Sequence, residues 1–190
     1  VYAFVKNNGG KVAVYKENLY KPMPGYRFIA SNTDRSRYYV GELNGKSSKQ
    51  AYMDALHISE SNIINQTFHN PLGKMNGQDI CIISLKEVSG NGLCCYRQVN
   101  DSDVLVLLEE QDYNEILDET LQRIRRDFNH ISGVFSINCV FRYLLFSQEH
   151  HMEDYLKTMS TLGEHAGLIG FGEHYNQQFV NQTMTCVVFE

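Results

Sequence analysis

Apolar and polar positions alternate at several points along this chain, and elsewhere recur every three to four residues. In the opening segment Tyr2 and Phe4, then Val12 and Val14, flank Asn7-Asn8-Gly9-Gly10. Two short alternating runs around an Asn/Gly turn predict a β-hairpin. Pro22-Met23-Pro24-Gly25 predicts a turn or crossing. Strands are expected at 27–31 and 38–43, the second ended by Asn44-Gly45. Ser47 followed by Gln50 is a capping box ahead of Ala51, Tyr52, Ala55 and Leu56 at helical spacing. Ser59 is expected to cap a second short helix, which Asn70-Pro71-Leu72-Gly73 breaks. Three further runs, 80–85, 93–98 and 104–108, are separated by Ser89-Gly90-Asn91-Gly92 and Asn100-Asp101-Ser102-Asp103. They predict an antiparallel meander.

The second half reads differently. Asp112 and Glu115 form another capping box. Tyr113, Ile116, Leu117, Leu121, Ile124 and Phe128 make one apolar stripe, which predicts an amphipathic helix. Residues 133–140 are almost continuously apolar, as in a central strand buried on both faces. Met152, Tyr155, Leu156, Met159 and Leu162 mark a further helix, and 166–171 and 184–189 close the chain as strands. Strand, helix and strand over 133–171 predict one parallel β-α-β crossover, right-handed by the general rule. The expected fold class is α+β: a largely antiparallel mixed sheet with helices packed against it.

Composition narrows the classes of function. Hydrophobic residues make up 43% of 190, enough for a packed core. The formal net charge is −5, which argues against nucleic acid as the main partner. No apolar run approaches the ~20 residues of a membrane helix. The five Cys (Cys81, Cys94, Cys95, Cys139 and Cys186) are odd in number and mostly lie in apolar runs. This suits a reducing, cytoplasmic setting, and without a Cys-x-x-Cys pair neither a zinc knuckle nor another metal or cofactor is expected. The chain begins at Val1 without a basic-then-apolar leader, as expected of a processed protein or a piece of a longer one. The Asn65 and Asn181 sequons would matter only in a secreted protein.

Few residues offer chemistry. The predicted central strand ends in Cys139-Val140-Phe141-Arg142, and the carboxyl end of a parallel strand is where open sheets hold ligands. A buried Arg142 could bind a carboxylate bidentately, or could serve an internal ion pair, for example with Glu173. Gly172 and Glu173 follow another predicted strand within Gly170-Phe171-Gly172-Glu173-His174. Glu173 could meet a ligand ammonium or orient Arg142, or be a solvated loop acid. Asn181 and Thr183 open the last strand and could tie the Glu173 loop to the sheet. Cys139 could act as a nucleophile only with a base nearby, with His174 the candidate; a small buried thiol is the expected reading. His150 and His151 lack the i, i+4 spacing of a zinc helix and read as a solvated first turn. No catalytic residue and no enzymatic activity are expected.

The C-terminal stretch resembles the FIST C-terminal domain. The resemblance rests on Gly133-Val134-Phe135-Ser136 leading to Cys139-Val140-Phe141-Arg142, then on Gly170-Phe171-Gly172-Glu173 and on Asn181-Gln182-Thr183. Upstream, residues 39–45 before the Ser47 helix and Asn70-Pro71-Leu72-Gly73 add to it. It covers roughly residues 25–190. Residues 1–24 would be the last strands of a preceding FIST N-terminal domain, or part of this one. The resemblance implies a bacterial-type signal-transduction sensor that binds a small polar ligand, such as an amino acid. Arg142, Glu173, Cys139, Gly172 and Asn181 would form the binding site. It also implies a missing N-terminal domain and a downstream signalling module as partners. The rival readings are a Cys139-dependent enzyme and an interaction module that forms a homodimer or docks a partner through a sheet edge.

Overall fold

The computed structural model describes residues 4–77 and 79–190. In chain order the strands and helices begin with β1 (Val12–Asn18), β2 (Tyr20–Asp34), β3 (Tyr39–Leu43), β4 (Lys46–Ser47) and α1 (Ser48–Leu56). A 3-10 turn (Glu60–Asn62), α2 (Ile63–Gln66), β5 (Leu72–Asn76), β6 (Asp79–Ile83), β7 (Leu85–Ser89), β8 (Gly92–Cys95) and β9 (Val104–Glu110) follow. Then come α3 (Tyr113–Asp127), β10 (Gly133–Cys139), α4 (Val140–Gln148), α5 (Met152–Met159), a 3-10 turn (Ser160–Leu162), β11 (Glu164–Gly170), β12 (Glu173–Tyr175), β13 (Gln178–Val180) and β14 (Thr183–Phe189). The class is α+β, as the patterning predicts.

The chain divides into two compact units. One joins the chain up to Leu19 with Asp112–Glu190; the other is the continuous stretch Tyr20–Gln111. Residue 24 therefore lies inside β2.

The unit Tyr20–Gln111 is built on one sheet in the order β6-β5-β9-β2-β3-β8-β7, with β4 paired to β3. β6 and β7 stand at opposite ends of that order, yet only Ser84 separates them in the chain. The sheet must therefore roll until its ends meet. Its core collects Phe28, Val40, Leu43, Tyr52, Ile63, Leu72, Ile83, Leu93, Leu105 and Leu107. Two expectations are corrected here. Residues 80–108 do not form a meander: β8 and β9 are separated in the sheet by β2 and β3, and β5 intervenes beside β9. Pro22-Met23-Pro24-Gly25 is not a turn either. β2 runs through it, and a register shift against β9 between Pro22 and Arg27 absorbs the extra residues. A bulge tolerates proline because no ladder N–H is needed there. The Asn44-Gly45 turn is present, with both residues at positive φ (53° and 72°). Ser47 caps α1 through the amide of Gln50, but Gln50 turns its own side chain to Asp54 instead of closing the box.

The other unit carries a four-stranded sheet in the order β1-β14-β10-β11. β10 and β11 run parallel, joined by α4 and α5, so the expected crossover is there. β1 pairs along its length with β14, from Val12 opposite Phe189 to Asn18 opposite Thr183. That overturns the predicted local hairpin. Residues 4–10 form no strand, and Tyr2 lies outside the described residues. α3 starts as predicted: the Asp112 side chain accepts from the amides of Asn114 and Glu115. Its stripe buries Leu117, Leu121 and Ile124, each contributing roughly 1.5–3 kcal/mol.

β10 is central in order but not buried on both faces. Val134, Ser136 and Asn138 are buried, while Phe135 on the opposite face is 39% exposed. The run is also shorter than its apolar stretch suggests. It ends at Cys139, and Val140 already belongs to α4, whose Leu145 and Phe146 are buried. An apolar run of this length cannot separate strand from helix by itself.

Candidate functional site

Alternation along β10 sends Ser136 and Asn138 to the helix-covered face. The register then lines up one row across three strands. Glu17 on β1 and Asn138 on β10 both stand opposite Met184 on β14, which puts their backbones roughly 10 Å apart. Directly after Cys139 the chain turns into α4, so Arg142 falls in the first helical turn, not at a strand end as expected. It is 1% exposed. Its guanidinium lies over the Phe146 ring, one helical turn on, with 4.6 Å to the centroid, and 5.4 Å from that of Tyr155 on α5. Tyr155 in turn accepts from the Asn138 amide at 3.0 Å.

Arg142 makes an ion pair, but with Glu17 and not with Glu173. Its Nη2 donates to Glu17 Oε1. Both side chains are buried, at 1% and 0% exposure. The pair is incomplete. Arg142 Nε and Nη1, Glu17 Oε2 and Asn138 Oδ1 have no hydrogen-bond partner among the described residues.

Glu173 opens β12 instead of sitting in a solvated loop, and is 2% exposed. Thr183 Oγ1, on the adjoining β14, donates to its Oε2 at 3.1 Å, and Oε1 has no partner among the described residues. Thr183 thus ties this segment to the sheet as the sequence suggests. Desolvation pushes the Glu173 pKa up to about 8, against the lowering effects of the Thr183 hydroxyl and the Arg142 charge. Gly172 precedes it at φ +109°, and a Cβ there would stand 2.5 Å from the Phe179 ring and 3.1 Å from Asn181 Oδ1. Glycine therefore lets the β12–β13 hairpin fold back onto its own second strand and the buried Asn181.

Cys139 is buried, and its thiol pKa is raised by desolvation and then by the Glu173 charge. Backbone amides of Gln182, Phe141 and Arg142 partly offset this. His174, the candidate base, is exposed and meets Phe179 edge-on at 5.4 Å. Cys139, Arg142 and Glu173 thus converge, with Gly172 and Asn181 behind Glu173. Glu17, Asn138, Phe146 and Tyr155 join them in the structure. Only the β1–β14–β10 register brings Glu17 in, and a lone acid in an alternating strand carries no signal of that. His151 is not simply a solvated residue. Its ring packs on Phe146 at 4.8 Å and Tyr113 at 5.3 Å, and burial lowers its pKa.

A cleft of about 440 Å³ opens beside the cluster, lined by Lys16, Glu17, Thr120, Arg123 and Arg126 among others. Among the described residues no group of three or more His, Cys, Asp or Glu could hold a metal ion, and no helix is long and apolar enough to cross a membrane.

Compared with known proteins, the chain matches the family model of the FIST C domain over residues 49–176. Neither the curated proteins nor the solved structures give a match. The matched stretch takes in α1, most of the rolled sheet, the whole β10-α4-α5-β11 crossover, Arg142 and Glu173. The chain belongs to the FIST C domain family, a family of sensory, signal-transduction domains.

Proposed function

We propose that this chain is a non-enzymatic, small-ligand-binding part of a larger signalling protein, and that Arg142 receives a carboxylate or a comparable planar acceptor of the ligand. One observation carries the reading. A fully buried guanidinium leaves Nε and Nη1 without partners among the described residues. Leaving charged donors unsatisfied in a low-dielectric interior costs several kcal/mol, so the position suits an acceptor that arrives with a ligand. The Phe146 and Tyr155 rings pack against the guanidinium, which limits its freedom and so favours bidentate recognition. A cleft with Glu17 in its wall lies beside the pair. Amino acids and related small polar metabolites carry the required group. The raised thiol pKa of Cys139 and the exposed position of His174 favour a structural thiol over a nucleophile.

Titration calorimetry of the full chain with a panel of small carboxylates and amino acids tests this. Binding is expected for at least one class and is expected to fall by 100-fold or about 3 kcal/mol in Arg142→Gln. A flat response to the whole panel, or undiminished binding by the variant, would sink the reading.

A second reading has its own observation. β11 is an edge strand, and Leu168 and Ile169 on it are each 48% exposed, with Phe171 beyond at 92%. An exposed apolar edge without proline or lysine is suited to strand pairing with another chain or a second copy.

A further inference from the structure

The cleft of about 440 Å³ is walled by β1 and α3, which belong to the same unit. From α3 come Ile116, Glu119, Thr120, Arg123 and Arg126, at the three-to-four spacing of one helix face. The charges in its wall do not cancel. Glu17 is matched by Arg142. Lys16 sends its ammonium elsewhere, over the Tyr175 ring at 5.5 Å and to Gln178 Oε1 at 3.5 Å. Two guanidiniums, Arg123 and Arg126, remain against Glu119 alone. Neither is within ion-pair distance of a carboxylate among the described residues. Asp127, beside Arg126 in the chain, instead accepts from the Tyr15 hydroxyl at 2.8 Å. The carboxyl end of α3 accounts for a cation at Arg126, in the last turn, but not for one at Arg123. Arg123 is also held in place. Its Nη2 donates to Lys16 O at 3.0 Å, and its guanidinium lies over the Tyr15 ring at 5.4 Å. That bond uses one of five N–H donors.

We propose that this cleft binds a small phosphomonoester, whose doubly charged phosphate bridges Arg123 and Arg126. The site is separate from Arg142 and goes beyond the reading given above. Two guanidiniums without an acid call for two negative charges. A phosphate has three terminal oxygens and can meet two forks at once, whereas one fork occupies a carboxylate fully. The cleft falls in the range of small-molecule pockets, roughly 300–1,000 Å³, and has room for an organic group beside the phosphate. Ile116 gives that group an apolar surface. Glu119, exposed in the same wall, repels a further anionic group and so limits the ligand to one phosphate.

Titration calorimetry of the full chain at low salt tests this, with glycerol 3-phosphate as the dianion and ethyl sulfate as a singly charged oxyanion of similar shape. At pH 7.5 glycerol 3-phosphate should bind saturably and ethyl sulfate at least tenfold more weakly. At pH 5 the ester is back below its second pKa of about 6 and should bind about tenfold more weakly, with the ethyl sulfate response unchanged. Arg123 and Arg126 are exposed, so their variants should fold. Arg126→Gln should weaken glycerol 3-phosphate at least tenfold. Arg123→Lys keeps the charge but loses the fork, and should weaken it at least threefold. Equal affinity for the two probes, or full binding by both variants, would mean diffuse charge without a site and would overturn the proposal. No binding of glycerol 3-phosphate would overturn it too. So would sedimentation with phosphatidate vesicles without binding of the free ester, which would assign the cleft to a membrane surface. None of these failures touches the reading of Arg142, which the carboxylate panel and Arg142→Gln test separately.

Discussion

Burial decides what each charged group in the cluster can do. Glu17, Arg142 and Glu173 are each at most 2% exposed. In water all three would be charged and individually inconspicuous. Here the acid with a guanidinium partner stays paired, and the one without is pushed up to about 8. A consequence for stability follows from linkage. The folded pKa of Glu173 lies above its ordinary carboxylate value, so the native state holds a proton that the unfolded state has released between about pH 4.5 and 8. Its contribution is fully present below about pH 4.5 and is lost progressively as pH rises to about 8, at up to roughly 1.4 kcal/mol per pH unit. Glu173→Gln cannot lose a proton. Chemical denaturation should therefore show the variant gaining on the wild type as pH is raised from 5 to 8, and holding a constant difference above 9. A difference that does not change with pH would mean that Glu173 is charged in the native state.

At the scale of elements, capping and spacing read true where local chemistry dominates. Asp112 caps α3, Ser47 caps α1, and the α3 stripe points inward. The failures share one cause. The hairpin predicted around Asn7–Gly10 and the meander predicted over 80–108 both assumed that neighbours in sequence are neighbours in the sheet. β1 instead finds β14 at the far end of the chain, because pairing there extends a sheet whose other face buries Tyr15 and Glu17. α4 was hidden inside an apolar run, since its start at Cys139 has no side-chain cap. The β12–β13 hairpin was missed because its strands have three residues each. That hairpin depends on Gly172. Gly172→Ala would meet both the left-handed φ of +109° and the Phe179 ring at 2.5 Å. It should destabilise the protein by about 1–3 kcal/mol and speed amide exchange selectively in 173–180. Uniform loss of protection across β10 and β14 would count against a local hinge.

At the scale of the molecule, each unit has its own core. Every member of the rolled sheet's cluster, from Phe28 to Leu107, comes from Tyr20–Gln111. Leu43→Ala, at a fully buried site, should cost about 2–5 kcal/mol. Its effect on hydrogen exchange should concentrate in β3, β8 and α1, with β10, β14 and the Arg142 cluster little changed. Equal loss in both units would mean that they unfold as one.

The sequence by itself determined whatever depends on residues close in the chain. That includes the α+β class, the α1 and α3 starts, the Asn44-Gly45 turn, the strand-helix-strand crossover and the family, whose match spans the motifs within 49–176 but not those at 39–45 and 181–183. It also singled out Arg142 and Glu173, because an arginine after an apolar run and an acid behind a glycine are locally unusual. Tertiary structure alone decided their partners. Glu17 lies 125 residues from Arg142 and enters through the pairing of β1 with β14. The same packing buries Glu173 near Arg142 but without an ion pair to it, so desolvation raises its pKa. Chain proximity specifies turns and caps, but desolvation and charge pairing act across space, where sequence separation carries no information.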